Sequence, residues 1–256
     1  MNDFADLSIG EIKKYLNDNK LSQQQVGTLA ADSRVGVQKL IKSYQRQLRK
    51  HAQIEQRFRE HLKIEQSFWQ KNKIVAGIDE VGRGPLAGPV VTAAVILPPD
   101  VNIIDINDSK QLTDKKRHQL YPHILSEAID VSVAVGSNQL IDQENIYHAT
   151  ELTMAKSINN LFIKPNEILV DAMHIPVNIP QMKLIKGDAR SISIGAASII
   201  AKVYRDELMK EYAQMYPHYG FEQNAGYGTK LHLAGLKKFG ICPLHRKTFA
   251  PVKNIL

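Results

Sequence analysis

The sequence predicts an α/β layer protein with a helical N-terminal extension, on three observations. From about residue 74 onward, short β-rich runs alternate with helical stretches, the pattern of strands joined by crossover helices. The first 70 residues contain no strand-like run and repeat their apolar residues at helical spacing. Apolar runs in the later part close on acids, at Asp79-Glu80, Asp171 and Asp188, which would place carboxylates at a rim of the sheet.

In chain order, Ser8 or Asp6 can cap a first helix carrying Ile12 and Leu16, and Ser22 a second carrying Val26 and Leu29. Residues 34–69 are rich in Gln, Lys and Arg, free of Pro, and free of Gly after Gly36. Val37, Leu40, Ile41, Tyr44 and Leu48, then Ile54, Phe58, Leu62 and Ile64, recur there at helical spacing and predict one long helix. Near Lys71 the pattern turns to strand. Residues 74–79 and 90–97 are β-rich, separated by a Gly/Pro turn, and so antiparallel neighbours. Thr113 or Asp114 caps a further helix; residues 128–135 alternate like a strand, and 143–162 read as a helix. A short buried strand at 167–170 ends at Asp171, and another at 182–185 ends near Gly187-Asp188. Residues 191–216 form a long helix whose first half, SISIGAASIIAK, is nearly uncharged and therefore buried. The chain thus divides into a helical module, residues 1–70, and an α/β domain, residues 71–256.

An apolar content of 43% and a charged content of 23% over 256 residues describe an ordinary soluble globular protein. No stretch approaches the length of a secretory core or a membrane span, so no membrane partner is expected. The single cysteine, Cys242, rules out an intramolecular disulfide and fits a reducing cytoplasm. The net charge of +7 is uneven: residues 1–73 hold 14 Lys and Arg against 8 Asp and Glu, and the remainder 19 against 18. A basic first third suits an arm that meets a polyanion, or equally a well-solvated basic surface.

The acids carry the chemistry. Parallel strands would bring their carboxyl ends to the edge where α/β folds bind ligands. Four like charges in a desolvated cluster repel strongly and survive only with something positive among them. Oxygen ligands without an accompanying His/Cys set favour Mg²⁺ or Mn²⁺ over zinc, and two such ions suit phosphodiester hydrolysis. Asp79 and Glu80 raise a geometric tension, because consecutive side chains of a regular strand face opposite ways. Both join one site only where the strand breaks, and Gly82 offers such a place. Glycines around Arg83 let the backbone approach a ligand closely, and Arg83 can fork onto a phosphate.

The sequence resembles bacterial ribonuclease HII in several separated segments that follow the family's order. They are GIDEVGRGPLAGPVV at 77–91, DSKQLT at 108–113, LVDA at 169–172, KGDARSISIGAASIIAKVYRD at 186–206, GYGTKLH at 226–232 and HRKTF at 245–249. The resemblance implies an RNase H-like fold, a five-stranded mixed sheet flanked by helices. It implies that Asp79, Glu80, Asp171 and Asp188 are catalytic and hold Mn²⁺ or Mg²⁺. It implies cleavage 5′ to a ribonucleotide in duplex DNA or in an RNA–DNA hybrid, leaving 3′-hydroxyl and 5′-phosphate ends. By the same resemblance Gly82, Arg83 and Gly84 sense the 2′-hydroxyl, and Tyr227 stacks on the following deoxyribose. Lys110 is a candidate phosphate contact, weighed evenly against an ordinary surface lysine, and the protein is expected to act as a monomer. Where Val81, Ala172 and Gly195 stand, the family more often has Ala, Gly and Ala; all three departures leave the carboxylates intact.

Two alternatives differ in kind. Ribonuclease HIII shares the carboxylate plan but generally lacks the glycine–arginine–glycine triplet and carries a β-containing N-terminal domain. A catalytically silent nucleic-acid-binding protein would suit the basic arm, yet four rim acids would repel phosphate unless metals neutralised them. Other polar residues take plainer readings. Asp206, which follows Arg205, forms a structural ion pair on the long helix, and His174, His232 and His245 serve packing or backbone hydrogen bonds. His245-Arg246 could also touch phosphate, Cys242 is packed, and Trp69 docks the long helix.

Overall fold

A computed structural model describes residues 4–18 and 21–255. Residues 1–3, 19, 20 and 256, which the sequence allots to the helical module and to the end of the α/β domain, lie outside the described residues. The chain forms two compact units, residues 1–57 and 58–256.

The first unit holds α1 (Ile9–Asp18), α2 (Gln23–Ala30) and the larger part of α3 (Val35–Trp69). Ser8 caps α1, its backbone N–H and hydroxyl both donating to Glu11, and Ser22 forms a capping box with Gln25 at the start of α2. Ile12, Leu16, Leu29, Val37 and Ile41 close a small core. The sequence divides the chain where helix yields to strand, at 70. By compactness the last turns of α3 go with the sheet, because Phe58, Leu62 and Phe68 are buried in its cores.

The second unit is built on five strands: β1 (Val75–Val81), β2 (Val90–Ile96), β3 (Asp130–Gly136), β4 (Glu167–Asp171) and β5 (Gln181–Leu184). Their order is β3-β2-β1-β4-β5; β1–β2 and β2–β3 are antiparallel, β1–β4 and β4–β5 parallel. The mixed sheet is flanked by α4 (Asp114–Glu127), α5 (Asn138–Asn159) and α6 (Ile192–Met215). Thr113 caps α4, as the sequence predicts. Two helices lie where the periodicity predicts none, the four-residue α7 (Phe221–Asn224) and α8 (Lys230–Phe239).

Strand alternation sorts β1 between two cores. Ala76 and Ile78 face α5, packing with Met154, Ile158, Ile168 and Val170. Val75 and Val81 belong to the α6 side, with Ile194 and Ile199 in the cores there. The nearly uncharged half of α6 is wholly buried against the sheet. Gly77 permits that approach, since a Cβ would collide with the backbone of Ser193 and Ile194. Trp69 packs on the same core. Among the described residues no helix is long and apolar enough to cross a membrane.

Candidate active site

The parallel run β1–β4–β5 directs three carboxyl ends to one edge of the sheet. Pairing of β1 with β4 stops at Ile78↔Val170, whereas pairing with β2 continues to Val81↔Val91. Asp79 and Glu80 therefore sit on a strand that has outrun one neighbour but is not broken. The tension between their directions is resolved differently from the sequence expectation. Alternation puts Asp79 and Asp171 on the α6 side and Glu80 on the α5 side, and the acids meet only across the rim.

Asp79 is buried and accepts a hydrogen bond from Ser198 of α6, which in turn meets the Ser109 hydroxyl at 2.8 Å. With Ser198 donating to Asp79, Ser109 must donate to Ser198, so the DSK segment is tied to the first carboxylate. Burial, then the charge of Glu80, pushes the Asp79 pKa well above the ordinary carboxylate range. Burial also raises Glu80, against the lowering effect of Arg83, whose Nη1 lies 3.4 Å from Glu80 Oε1. Glu80 Oε2 is buried and has no hydrogen-bond partner among the described residues. Asp171 accepts from the Gly187 N–H at 2.9 Å.

Asp188 lies past the end of β5, in a single 3₁₀ turn at Gly187–Ala189, rather than at a strand end. Burial raises its pKa, with Asp108 and Asp171 adding to the effect. Lys110 Nζ stands 3.8 Å from Asp188. Partial burial works against its charge, yet Asp79, Asp188, Asp108 and Glu80 together raise the lysine's pKa. Lys110 is thus a positive group within the acid field, and its side chain is otherwise exposed.

Among the described residues no three Asp, Glu, His or Cys side chains are drawn together closely enough to hold a metal ion. Glu80 starts from the opposite face of the strand to Asp79. The donor set nevertheless fits a hard divalent cation, being four carboxylates with no nitrogen or sulfur ligand and one buried oxygen lacking a partner.

Beside the acids, Gly82 takes φ +90°, a conformation that glycine adopts without strain. Gly84 faces the Tyr227 ring, which a Cβ there would touch at 3.4 Å, and Leu86 N–H donates to Gly226 O at 2.8 Å. Tyr227 is half exposed, and Arg83 reaches over the Tyr147 ring at 5.9 Å. All nine sequence-predicted site residues therefore belong to one neighbourhood: Asp79, Glu80, Asp171, Asp188 and Lys110 on the rim, Gly82, Arg83, Gly84 and Tyr227 on its wall. Ala172 follows Asp171 at φ +51°, where an alanine costs about 1 kcal/mol relative to glycine. At Gly195 the space for a Cβ is taken by Ile106.

Several supporting residues lie within the segments that carry the resemblance, yet their residue type alone does not reveal their role. Ser198 and Ser109 look like any polar residue in a helix or loop. Asp206 makes its ion pair on the long helix with Lys202, at 2.7 Å; Arg205 is buried and donates to the carbonyls of Pro89, Ala87 and Ala225. His245 and Arg246 are also buried, and contact with phosphate is therefore excluded for them.

A mixed five-stranded sheet in this order, with an acid rim at the carboxyl ends of β1 and β4, defines a nuclease of the RNase H-like class. Comparison with known proteins narrows the class. The family model described as ribonuclease HII matches residues 76–252, and that of the ribonuclease HII N-terminal domain matches residues 8–69. The ribonuclease HII of Lactobacillus acidophilus is 55% identical over 97% of this chain and 99% of its own. The crystal structure of ribonuclease H2 from Pyrococcus horikoshii superposes with a TM-score of 0.62 at 28% identity, covering 71% of this chain and 96% of that one. A Bst-RNase HIII solved in complex with Mn²⁺ shares the fold, with a TM-score of 0.58 at 19% identity over 72% and 69% of the two chains. The chain belongs to the ribonuclease HII family, hydrolases that cut RNA endonucleolytically in RNA–DNA hybrids. The HIII and silent-binder alternatives are not favoured.

Proposed function

We propose that this enzyme hydrolyses the phosphodiester 5′ to a ribonucleotide embedded in duplex DNA, or within the RNA strand of a hybrid, leaving 3′-hydroxyl and 5′-phosphate ends. The observation that carries the reading is the contact between rim and wall: Arg83 bonds Glu80 at 3.4 Å while Gly84 adjoins Tyr227. A group bound against the wall therefore has its phosphate beside the acids.

Asp79, Glu80, Asp171 and Asp188 would hold Mg²⁺ or Mn²⁺, since oxygen-only donors suit both. When bound, such ions supply an activated water and charge stabilisation of the leaving oxygen. Ser198 keeps Asp79 oriented, and Lys110 offsets part of the acid charge so that a phosphate can approach. Arg83 offers a phosphate fork, the backbone at Gly82–Gly84 reaches the 2′-hydroxyl, and Tyr227 packs on the next sugar where that hydroxyl is missing. A duplex with one ribonucleotide should be nicked on its 5′ side in Mg²⁺ or Mn²⁺, as read on a denaturing gel. Intact substrate, or cutting on the 3′ side, would refute the reading. We place the enzyme in the cytoplasm as a monomer; the lone buried Cys242 suits a reducing compartment.

The basic helical residues 1–70 serve, in this proposal, as an accessory that raises substrate affinity. The deletion that tests it removes residues 1–57, because Phe58, Leu62 and Phe68 are core residues of the catalytic unit. Binding should weaken, and the salt dependence should flatten by about 0.9 in log–log slope for each phosphate that the shortened protein no longer neutralises. An unchanged slope in fluorescence-anisotropy titrations would make the module a scaffold instead.

A further inference from the structure

Residues 242–246, CPLHR, run behind both halves of the wall and bond to each. Ala87 and His245 form an isolated antiparallel bridge, with Gly88 N–H donating to Leu244 O and Arg246 N–H to Leu86 O, both at 2.9 Å. The Arg246 guanidinium is fully buried and donates to three backbone carbonyls: Gly88 at 3.0 Å, Arg83 at 2.8 Å and Gly82 at 2.5 Å. No carboxylate lies within ion-pair distance of it among the described residues. A buried cation without such a partner is costly, and burial pushes its pKa down to about 9. What it secures is direction. In a planar trans peptide the N–H points opposite to the C=O, so carbonyls of Gly82 and Arg83 drawn inward turn the N–H groups of Arg83 and Gly84 outward. Neither N–H has a hydrogen-bond partner among the described residues.

The other half is held through histidines. His245 Nδ1 accepts from Cys242 N–H at 2.8 Å, which rules out a proton on Nδ1, and the Cys242 carbonyl, 3.3 Å from that nitrogen, accepts instead from the His245 backbone N–H at 3.1 Å. A neutral His245 then carries its proton on Nε2, 3.0 Å from His232 Nε2. His232 must accept there and carry its own proton on Nδ1, which donates to Tyr227 O at 2.9 Å. Both rings are buried, and burial lowers both pKa values, that of His245 to about 4, so the neutral forms persist. One tautomer pattern satisfies every contact in this relay.

We propose that Cys242–Arg246 is a positioning brace: Arg246 sets the Gly82 and Arg83 peptides, and the His245–His232 relay sets Tyr227, holding ribose reading and deoxyribose reading at one spacing. The brace rests on the junction-reading roles proposed above. None of its side chains touches substrate; each acts through the wall.

The experiment compares kcat/KM on two substrates, a duplex with a single ribonucleotide and a uniform RNA–DNA hybrid, and takes their ratio as junction preference. His232→Leu fills the ring's space but removes the side-chain donor to Tyr227 O, leaving only the Thr229 N–H at 2.8 Å there; the ratio should fall about tenfold, with the uniform hybrid cut within about threefold of wild type. His232→Asn keeps an N–H where Nδ1 stood and should restore most of the ratio. In a Tyr227→Ala background, His232→Leu should change nothing further, since coupled residues are not additive. Equal losses on both substrates, or additive effects, would reduce His232 to a structural residue and overturn the relay. A normal ratio in His232→Leu beside a lowered one in Tyr227→Ala would overturn the relay alone. A normal ratio in Tyr227→Ala would overturn the junction reading, and the brace with it. If His232→Leu does not fold, His245→Leu cuts the relay one bond earlier and is judged by the same ratio. Arg246→Lys keeps the charge but cannot span three carbonyls, and should slow both substrates about tenfold at unchanged KM; wild-type rates would remove Arg246 from the brace.

Discussion

Asp79→Asn should lower cleavage by on the order of 10³-fold while leaving the metal-free protein at least as stable as the wild type. The two effects have opposite signs for one reason. Asp79 is buried beside Glu80 and within the field of Asp171, and its charge is tolerated rather than favoured by the fold. An ionised carboxylate whose folded pKa lies above its unfolded value opposes folding at neutral pH, so removing the charge removes that opposition. Asparagine keeps the shape and can still accept from Ser198. A gain of about 1 kcal/mol would raise Tm by about 2–4 °C in chelator. Added Mg²⁺ or Mn²⁺ should stabilise the wild type and have far less effect on the variant, because ligand binding adds to stability only where the site exists. Cleavage near the wild-type rate would remove Asp79 from the catalytic set. A Tm several degrees lower in chelator would instead mean that the carboxylate is needed for folding.

The sheet was largely legible in the sequence because its signals are local. Residues 74–79 and 90–97 alternate or run apolar between Gly/Pro turns, and they pair antiparallel as expected. Ser22 and Thr113 announce their helices because a hydroxyl at that position satisfies a backbone donor. That Asp79 and Asp171 lie at one edge follows from sequence because the carboxyl ends of parallel strands share an edge, whereas Asp188 lies past β5 in a turn. Non-local directions were not legible. That β1 outruns β4 depends on where β4 stops pairing, and that β1 stays regular through Glu80 depends on its continued pairing with β2. Arg205 and Arg246 look like surface charges until carbonyls of distant segments are seen to turn towards them. Helix α8 escaped because its glycine, Gly235, interrupts the apolar pattern; the structure needs it where His218 O presses in.

Gly77→Ala should destabilise the catalytic unit by about 3 kcal/mol and lower Tm by about 6–12 °C. The added methyl meets the Ser193 carbonyl carbon, the Ile194 nitrogen and the Ser193 Cβ. Two of these are backbone atoms, so no rotamer change can relieve the clash. Nor can the strand retreat, because Gly77 is paired to Val95 on one side and Leu169 on the other. The helix must give way. Yet the start of α6 is itself fixed: Glu65 of α3 accepts from the Ser191 hydroxyl at 2.5 Å and from the Ser193 N–H at 3.0 Å. That buried carboxylate caps α6 just after the turn bearing Asp188, and displacing the helix would break the cap while moving both Asp188 and Ser198. Activity should therefore fall even at temperatures where the variant is still folded, with a larger loss in kcat than in KM. Thermal unfolding and single-turnover rates measured side by side would check this. A Tm within about 2 °C of the wild type would show that α6 is free to shift, and the tight β1–α6 contact would then not be what positions the rim.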